Sequence, residues 1–250
     1  MLYLGEFLVD NNWYTKYKIA HRGLHNDTMP ENSLTAFQNA IDHGFAIEMD
    51  LRLLADGTVV AFHDSNLKRM CGVNFKVEDL TKKDLPYFNL DNSVQHIPTL
   101  KEILDLVDNQ VPLMIELKPN KNRKKFAEAV YKILKKYNGR FAVKSFDPRI
   151  VLWFRKMNVK FPLGMLSSNF KTTYAPFFQR IFLKRFTLFR RIKPDFISYE
   201  WNGLPNRFLA KKKLPIVAWT IRSDKQEKEV LKYASTVVFE NYIPDSIYTY

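Results

Sequence analysis

The feature that most constrains this chain is a regular alternation of short apolar segments with amphipathic ones. Segments rich in β-branched and aromatic residues, such as 111–115, 141–146 and 236–239, predict strands. Most are followed by helical periodicity, as in 98–107. Eight such strands alternating with helices imply parallel strands joined by right-handed crossovers. The sequence therefore predicts an α/β fold, a TIM (β/α)₈ barrel, as one domain over residues 1–250.

An open doubly wound sheet is the alternative architecture for this alternation. No Gly-rich dinucleotide-binding turn follows the first predicted strand, 17–20, which disfavours it. A length of 250 residues is ordinary for an α/β barrel. Residues 65–96 lack clear periodicity, and we interpret them as an excursion from the barrel.

Residues 45–64 have the pattern of a strand, a turn and a second strand, with Asp56-Gly57 as the turn. Glu48 and Asp50 are two positions apart on the first strand and so point to the same face. Two adjacent carboxylates repel each other and resist burial, so the pair favours a bound cation. Oxygen ligands suit Mg²⁺ or Ca²⁺. A strand with one solvated polar face is the alternative.

Other charged residues also fall where predicted strands end. His21 and Arg22 follow the first strand, and Glu116 and Lys118 follow the strand at 111–115. Barrel enzymes build their active sites from the carboxyl ends of the strands. We therefore expect these side chains to meet Glu48 and Asp50 at one rim of the barrel.

The residue types at this rim suit chemistry at a phosphorus centre. Glu48, Asp50 and Glu116 could hold one divalent cation, and Arg22 and Lys118 would add positive charge for an anionic substrate. A carbonyl hydrolase would not need two cationic side chains.

Two histidines, His21 and His63, could share the work of general acid and general base. Trp219 ends a late strand, and its rim position suggests a wall against the substrate. Packing inside the barrel is the alternative for this tryptophan.

Taken together, these motifs resemble the glycerophosphodiester phosphodiesterase family. The resemblance covers residues 19–120 and continues more faintly through 145–147 and 218–220. The motifs, in chain order, are His21-Arg22-Gly23, Pro30-Glu31-Asn32-Ser33 with Ala36-Phe37, Glu48-x-Asp50, Asp56-Gly57 leading to His63-Asp64, and Glu116-x-Lys118.

The resemblance implies a TIM barrel with a small insertion after the second strand, which suits residues 65–96. It implies hydrolysis of glycerophosphodiesters to glycerol 3-phosphate and an alcohol, with either water or the adjacent glycerol hydroxyl attacking first. It further implies roles for individual residues. These are Mg²⁺ or Ca²⁺ on Glu48, Asp50 and Glu116, acid/base catalysis by His21 and His63, phosphate binding by Arg22 and Lys118, and a supporting role behind them for Glu31.

Two departures from the family pattern lie near the C-terminus. The family usually has Thr-Asp-x-Pro after the last strand, whereas this chain has Glu240 and Asn241 in that stretch. After Trp219-Thr220 the family favours Asn, and this chain has Arg222. These changes leave the metal-site residues intact and bear on the preference for the alcohol headgroup.

The formal net charge of +13 suggests an anionic partner: phosphate groups, an acidic membrane surface or nucleic acid. No nucleic-acid motif is present, so we do not expect nucleic-acid binding. Residues 171–193 contain seven Lys or Arg and no acid, with aromatic residues at helical spacing. This segment predicts either an outer barrel helix or a helix that contacts an anionic membrane surface.

Two rival functions remain open from the sequence. One is a phospholipase D-like enzyme acting on lysophospholipids, and the other is a non-catalytic barrel that binds phosphate or membrane. The single cysteine, Cys71, fits a reducing compartment. With no run of 18 apolar residues, we expect a cytoplasmic protein, with peripheral contact at the inner membrane face as the extension of that view.

Overall fold

The computed structural model describes residues 12–169 and 189–249, and a closed ring of parallel strands lies at its centre. Most of these strands are buried along their whole length, which explains their nearly continuous apolar sequences. Their bounds are β1 (Ile19–Ala20), β2 (Ala46–Leu53), β3 (Val59–Ala61), β4 (Leu113–Leu117), β5 (Phe141–Ser145), β6 (Leu163–Ser167), β7 (Phe196–Glu200), β8 (Ile216–Ile221) and β9 (Thr236–Phe239).

The ring closes through its first strand. β1 pairs in parallel with both β2 and β9, and the remaining parallel pairs run in the order β2-β4-β5-β6-β7-β8-β9. β3 lies outside the ring and pairs antiparallel with the end of β2, where Leu51 faces Ala61 and Leu53 faces Val59. The predicted TIM barrel is confirmed, and the segment 45–64 forms the predicted hairpin.

Helices connect the barrel strands, and their start points follow from capping residues. Ser33 caps the first helix by accepting a hydrogen bond from Ala36 N at 3.1 Å, and Thr99 forms a capping box with Glu102. The described helices are α1 (Leu34–Asp42), α2 (Lys68–Cys71), α3 (Leu100–Val107), α4 (Arg123–Leu134), α5 (Pro148–Lys156), α6 (Phe189–Ile192), α7 (Arg207–Ala210) and α8 (Asp224–Val230).

Side chains fill the lower half of the barrel. Inward residues of several strands pack together there with Trp13, which precedes β1. Gly164 is required in this layer because a Cβ at that position would lie 2.3 Å from the ring of Phe196. Apolar packing thus occupies one end of the barrel and leaves the carboxyl end for polar residues. The packed residues are Trp13, Tyr14, Ile19, Ala46, Met114, Ala142, Phe196, Val217 and Val238.

The insertion at 65–96 builds a small apolar cluster of its own beside β3. Short 3₁₀ helices at Val77–Asp79 and Lys82–Tyr87 lie within it, and Leu67, Val77 and Leu85 are buried in the cluster. This arrangement agrees with the insertion predicted after the second strand. It matters for the site because Arg69 projects from the insertion onto two carboxylates at the barrel rim.

Most of the basic segment 171–193 lies outside the described residues, so its membrane contact stays a prediction. Residues 1–11 also lie outside the described residues, and the single domain expected over residues 1–250 stays a prediction. Across 12–169 and 189–249, no helix combines the length and apolar character needed to span a bilayer.

Candidate active site

Three carboxylates converge at the carboxyl end of the barrel. Parallel pairing sets Asp50 of β2 directly beside Glu116 of β4, and Glu48 lies two residues before Asp50 on the same inward face. Ligand oxygens of the three side chains all lie within 4.8 Å of one another. Glu48 and Asp50 are each 1 % exposed and Glu116 is 4 % exposed. The structure therefore brings the three predicted metal ligands together.

Buried cations compensate these acids. Lys118 Nζ lies 2.9 Å from Asp50 Oδ1 and 2.8 Å from Glu116 Oε1. Burial disfavours the charged form of Asp50, but the charges of Lys118 and Arg22 outweigh it and hold the pKa of Asp50 well below its ordinary value. The pKa of Lys118 is raised, because Asp50 and Glu116 outweigh the effect of burial. Asp50 and Lys118 are therefore both charged near neutral pH.

Arg22 connects the acids to the start of α1. Its backbone is in the left-handed region, with φ at 56°, and its N–H donates to Glu48 Oε2 at 3.2 Å. Its side chain lies 3.2 Å from Asp50 Oδ2 and donates to Glu31 Oε1 at 2.8 Å. Glu31 also accepts hydrogen bonds from Arg69. Glu31 thus holds Arg22 in place, and its supporting role in the reaction stays a prediction.

The side-chain amide of Asn32 also holds Asp50 in position. Asn32, also in the left-handed region with φ at 57°, donates from Nδ2 to Asp50 Oδ2 at 3.2 Å. Its Oδ1 accepts from the Asp50 backbone N–H at 3.1 Å. Asn32 thus holds both the side chain and the backbone of Asp50, while the next residue, Ser33, caps α1.

His21 forms a dyad with a carboxylate from the last barrel strand. Its Nδ1 is in hydrogen-bond contact with Glu240, which follows β9. Burial raises the pKa of Glu240, but bonds from His21 and His25 and the charge of Arg222 hold it far below its ordinary value. The ionised carboxylate can only accept a hydrogen bond, so Nδ1 of His21 carries the proton. Nε2 is then the atom that exchanges a proton with a ligand.

The two C-terminal departures from the family pattern contact each other. Arg222 donates from Nε to Glu240 Oε1 at 2.7 Å, and its Nη2 lies 2.6 Å from the same oxygen. His25, expected to have no role, lies 3.8 Å from Glu240 Oε2. Glu240 therefore links His21, His25 and Arg222 in one cluster beside the acids.

The ring of His63 also contacts a carboxylate, that of the next residue, Asp64. Its Nδ1 lies 2.6 Å from Asp64 Oδ1, and its backbone carbonyl accepts hydrogen bonds from Arg52 at 2.6 and 3.0 Å. Burial lowers the pKa of His63 below its ordinary value, and the charges of Lys118 and Arg22 act in the same direction. His63 is therefore neutral at neutral pH. His63 is close enough to the acid cluster for the charges of Asp50, Lys118 and Arg22 to act on its pKa.

Trp219 lies at the rim near the end of β8. Its ring packs edge-on against Phe146, with centroids 5.8 Å apart. Its buried Nε1 has no hydrogen-bond partner among the described residues. Trp219 also packs against the apolar cluster inside the barrel, so its role as a wall against the substrate stays a prediction.

Lys144 is a site residue that the sequence did not single out. It lies on β5 in register with Glu116, and its Nζ is 3.0 Å from Glu48 Oε1. Strand prediction places Lys144 inside an apolar segment, and only the alternation of inward and outward residues could have indicated its contact with the acids.

The donor set fits a hard divalent cation. Three carboxylates offer oxygen atoms only, they are desolvated, and their oxygens are close enough to share one ion. Zinc or copper sites commonly add histidine or cysteine ligands, which this cluster lacks among the described residues. Mg²⁺ and Ca²⁺ both prefer oxygen ligands of this kind.

Fold and site together define a TIM-barrel enzyme whose rim combines an acid triad that could hold a cation with two cationic side chains and two histidines. The model of the glycerophosphoryl diester phosphodiesterase family matches residues 21–244. The chain belongs to the glycerophosphoryl diester phosphodiesterase family. The predicted family and the predicted enzyme class, a phosphoric diester hydrolase, are confirmed.

Individual relatives agree with this assignment. YhdW of Bacillus subtilis is 27% identical over 248 residues, which are 92% of this chain and 96% of YhdW. The human lysophospholipase D GDPD1 is 36% identical over 133 residues, which are 48% of this chain and only 41% of GDPD1. An Oleispira antarctica phosphodiesterase, solved with the product sn-glycerol-3-phosphate, superposes with a TM-score of 0.79 at 19% identity, covering 93% of this chain and 95% of that chain.

Proposed function

We propose that this chain hydrolyses glycerophosphodiesters to glycerol 3-phosphate and an alcohol, with Mg²⁺ or Ca²⁺ held by Glu48, Asp50 and Glu116. The observation that carries the proposal is the buried triad, whose ligand oxygens lie within 4.8 Å of one another. The bound cation would neutralise charge that develops on the phosphoryl oxygens. The complex of the Oleispira phosphodiesterase with sn-glycerol-3-phosphate supports this choice of product.

The anionic phosphodiester would bind beside Arg22 and Lys118, which border the acid triad. Lys118 is fixed between Asp50 and Glu116, so its ammonium group is oriented before substrate arrives. Trp219 and Phe146 would provide the apolar wall against the glycerol or the headgroup.

The two histidines divide the proton transfers. Neutral His63 accepts the proton of the attacking hydroxyl, which belongs to water or to the adjacent glycerol hydroxyl. His21 is the acid in this proposal, because Glu240 engages Nδ1 and leaves Nε2 to deliver a proton. His21 gives its proton to the leaving alcohol oxygen as the phosphorus–oxygen bond breaks. If the glycerol hydroxyl attacks first, water opens the resulting cyclic phosphate with the proton roles reversed.

Release of glycerol 3-phosphate from glycerophosphocholine tests this function. We expect His21→Ala and His63→Ala each to lower kcat by at least about 100-fold, the usual contribution of acid or base catalysis. His43→Ala is the matched control, because that exposed histidine caps α1 and contacts Asn39 rather than the acids. Unchanged release in both active-site variants would contradict the roles proposed for His21 and His63. No release by the wild type would favour the non-catalytic, phosphate-binding barrel.

A lysophospholipase D is the second candidate, because GDPD1 carries that name and shares 36% identity over part of the chain. Assaying lysophosphatidylcholine beside glycerophosphocholine separates the two. Turnover of the lysolipid alone would replace the first proposal with the second.

Peripheral contact with an anionic membrane through 171–193 is a further part of the proposal. The net charge of +13 supports it. Cosedimentation with phosphatidylserine vesicles should fall with rising salt and in a triple variant with Arg180, Lys184 and Arg191 changed to Glu. Binding that ignores both changes would remove this part.

A further inference from the structure

Lys144 is the one lysine of β5, and it contacts the acid triad through Glu48 and Glu116. Its side chain is almost fully buried, at 3 % exposure. Its Nζ lies 3.0 Å from Glu48 Oε1 and 3.9 Å from Glu116 Oε2. A buried ammonium group is costly unless it is paired, so these two contacts fix its position.

Buried cations already contact every acid of the triad. In the described part of the chain, the acids Glu48, Asp50 and Glu116 form ion pairs with three cationic side chains. These three cations are Arg22, Lys118 and Lys144. A divalent ion that joins the cluster must therefore bind to carboxylates that cationic side chains already contact.

Lys144 uses the same carboxylates that a metal ion needs. Glu48 and Glu116 each direct an oxygen toward its ammonium group, so the positive charge of Lys144 lies next to any ion that they hold. The ammonium group of Lys144 and a metal ion on the same carboxylates would repel each other strongly, because water is excluded from the cluster. The same charge attracts an anion that binds to the loaded cluster.

We propose that Lys144 is a positioning residue that sets the charge of the metal site, weakening binding of the divalent cation and strengthening binding of the phosphate group once the cation is present. This inference rests on the proposed function, since it takes the triad as the metal site. Lys118 cannot replace Lys144 in this role, because Lys118 pairs with Asp50 and Glu116, whereas Lys144 pairs with Glu48.

Calorimetric titration with Mg²⁺, at one pH and one ionic strength, tests the first half. We expect Lys144→Gln to bind Mg²⁺ at least about tenfold more tightly than the wild type, and Lys144→Arg to stay within about threefold. Lys18→Met is the matched control, because Lys18 is a buried lysine paired with Glu227 at 2.6 Å, away from the triad. Equal or weaker Mg²⁺ binding in Lys144→Gln overturns the inference.

Product binding tests the second half. With Mg²⁺ saturating, glycerol 3-phosphate should bind at least about tenfold more weakly to Lys144→Gln than to the wild type. Equal product affinity overturns the inference, because a merely structural lysine would leave the anion unaffected. The result for Lys144→Arg should follow the wild type in both titrations.

Thermal unfolding keeps the test decisive if the substitution impairs folding. A Lys144→Gln chain that folds only with Mg²⁺ supports the inference, whereas one that stays unfolded at every Mg²⁺ concentration overturns it. Glu48→Gln distinguishes a failure of the proposed metal site from a failure of the role proposed for Lys144. If wild type and Glu48→Gln titrate alike, the proposed metal site fails, but if only the Lys144→Gln effect is missing, the failure belongs to Lys144.

Discussion

At the scale of single residues, His21 depends on a carboxylate 219 positions further along the chain. Glu240 keeps the proton on Nδ1 of His21, and Arg222 holds Glu240 from the other side. An imidazole without this partner would lose both its orientation and its fixed tautomer. The two C-terminal departures from the family pattern therefore form one unit that serves a catalytic residue.

Replacing Glu240 tests this unit. We expect Glu240→Gln to lower kcat by at least about tenfold while KM changes by less than about threefold, because His21 is mispositioned but the phosphate contacts remain. Steady-state kinetics with glycerophosphocholine measures both constants. Glu229→Gln, which removes a surface carboxylate paired with Lys232, is the control. An unchanged kcat in Glu240→Gln would show that the dyad has no catalytic role.

The pKa of His63 sets the expected pH dependence. Burial lowers this pKa from its ordinary value of 6.5, and the neutral ring is the form that accepts a proton. As pH falls through the lowered pKa, His63 becomes charged and kcat/KM declines. The acidic limb of the profile should therefore have its midpoint below pH 6.5.

Asp64 gives this prediction a direction. Its hydrogen bond raises the pKa of His63, so Asp64→Asn should shift the acidic midpoint to still lower pH. A pH profile of kcat/KM for both proteins makes the comparison. A midpoint above 6.5 in the wild type, or a shift toward higher pH in the variant, would exclude His63 as the base.

The acids of the site could be predicted from the sequence, because their signal is local. Glu48 and Asp50 are two apart on one strand, and a strand directs such residues to one face. Glu240 and Lys144 could not be assigned in the same way. Their partners lie on other strands, and contacts between strands depend on the register of a barrel that a single segment does not encode.

At the scale of elements, the short connection between β1 and α1 supplies several residues of the site, including Arg22 and Asn32. Arg22, Gly23 and Asn32 all have positive φ, so this connection bends sharply twice. The bends let Arg22 and Asn32 reach Asp50 from the same side. The sequence indicated a turn at Gly23, but it did not indicate the left-handed conformation of Arg22 or Asn32.

Gly23 is the residue in this connection that tolerates least change. Its φ is 82°, and an added Cβ would lie 2.8 Å from the backbone carbon of Ala36. We expect Gly23→Ala to destabilise the fold by about 2 to 4 kcal/mol, from backbone strain and overlap together. Urea unfolding gives the value.

Gly57 supplies the comparison. It has a similar φ of 92°, but the nearest atom to its added Cβ is Lys125 Cε at 3.9 Å. Gly57→Ala should therefore cost only the conformational strain, about 1 to 2 kcal/mol. Equal losses in the two variants would show that the contact with Ala36 is relieved at no cost.

The elements themselves were predicted to different degrees. The strand and helix rhythm of the barrel was evident, because apolar runs and capping residues such as Ser33 and Thr99 mark each unit. The 3₁₀ helices of the insertion were not, because 65–96 has no periodic pattern. β3 lies outside the ring because it returns antiparallel along β2, an arrangement that a count of apolar runs does not reveal.

At the scale of the whole molecule, the insertion and the barrel share the site. Arg69 of the insertion lies 2.7 Å from Glu31, which holds Arg22, and 2.8 Å from Asp64, which holds His63. The three acids of the proposed metal site lie on the neighbouring barrel strands β2 and β4. Architecture thus converts three separate sequence motifs into one cluster that can bind an ion and a phosphodiester.

The most direct measurement of the central claim is glycerol 3-phosphate release from glycerophosphocholine before chelation, after chelation, and after Mg²⁺ or Ca²⁺ is restored. Three proteins are compared: the wild type, Glu48→Gln, and Glu227→Gln, whose buried acid pairs with Lys18 outside the site. We predict that the wild type and Glu227→Gln lose activity with the chelator and regain it with one of the ions, whereas Glu48→Gln stays inactive throughout. Activity that persists in the chelator, or that survives in Glu48→Gln, would contradict the account.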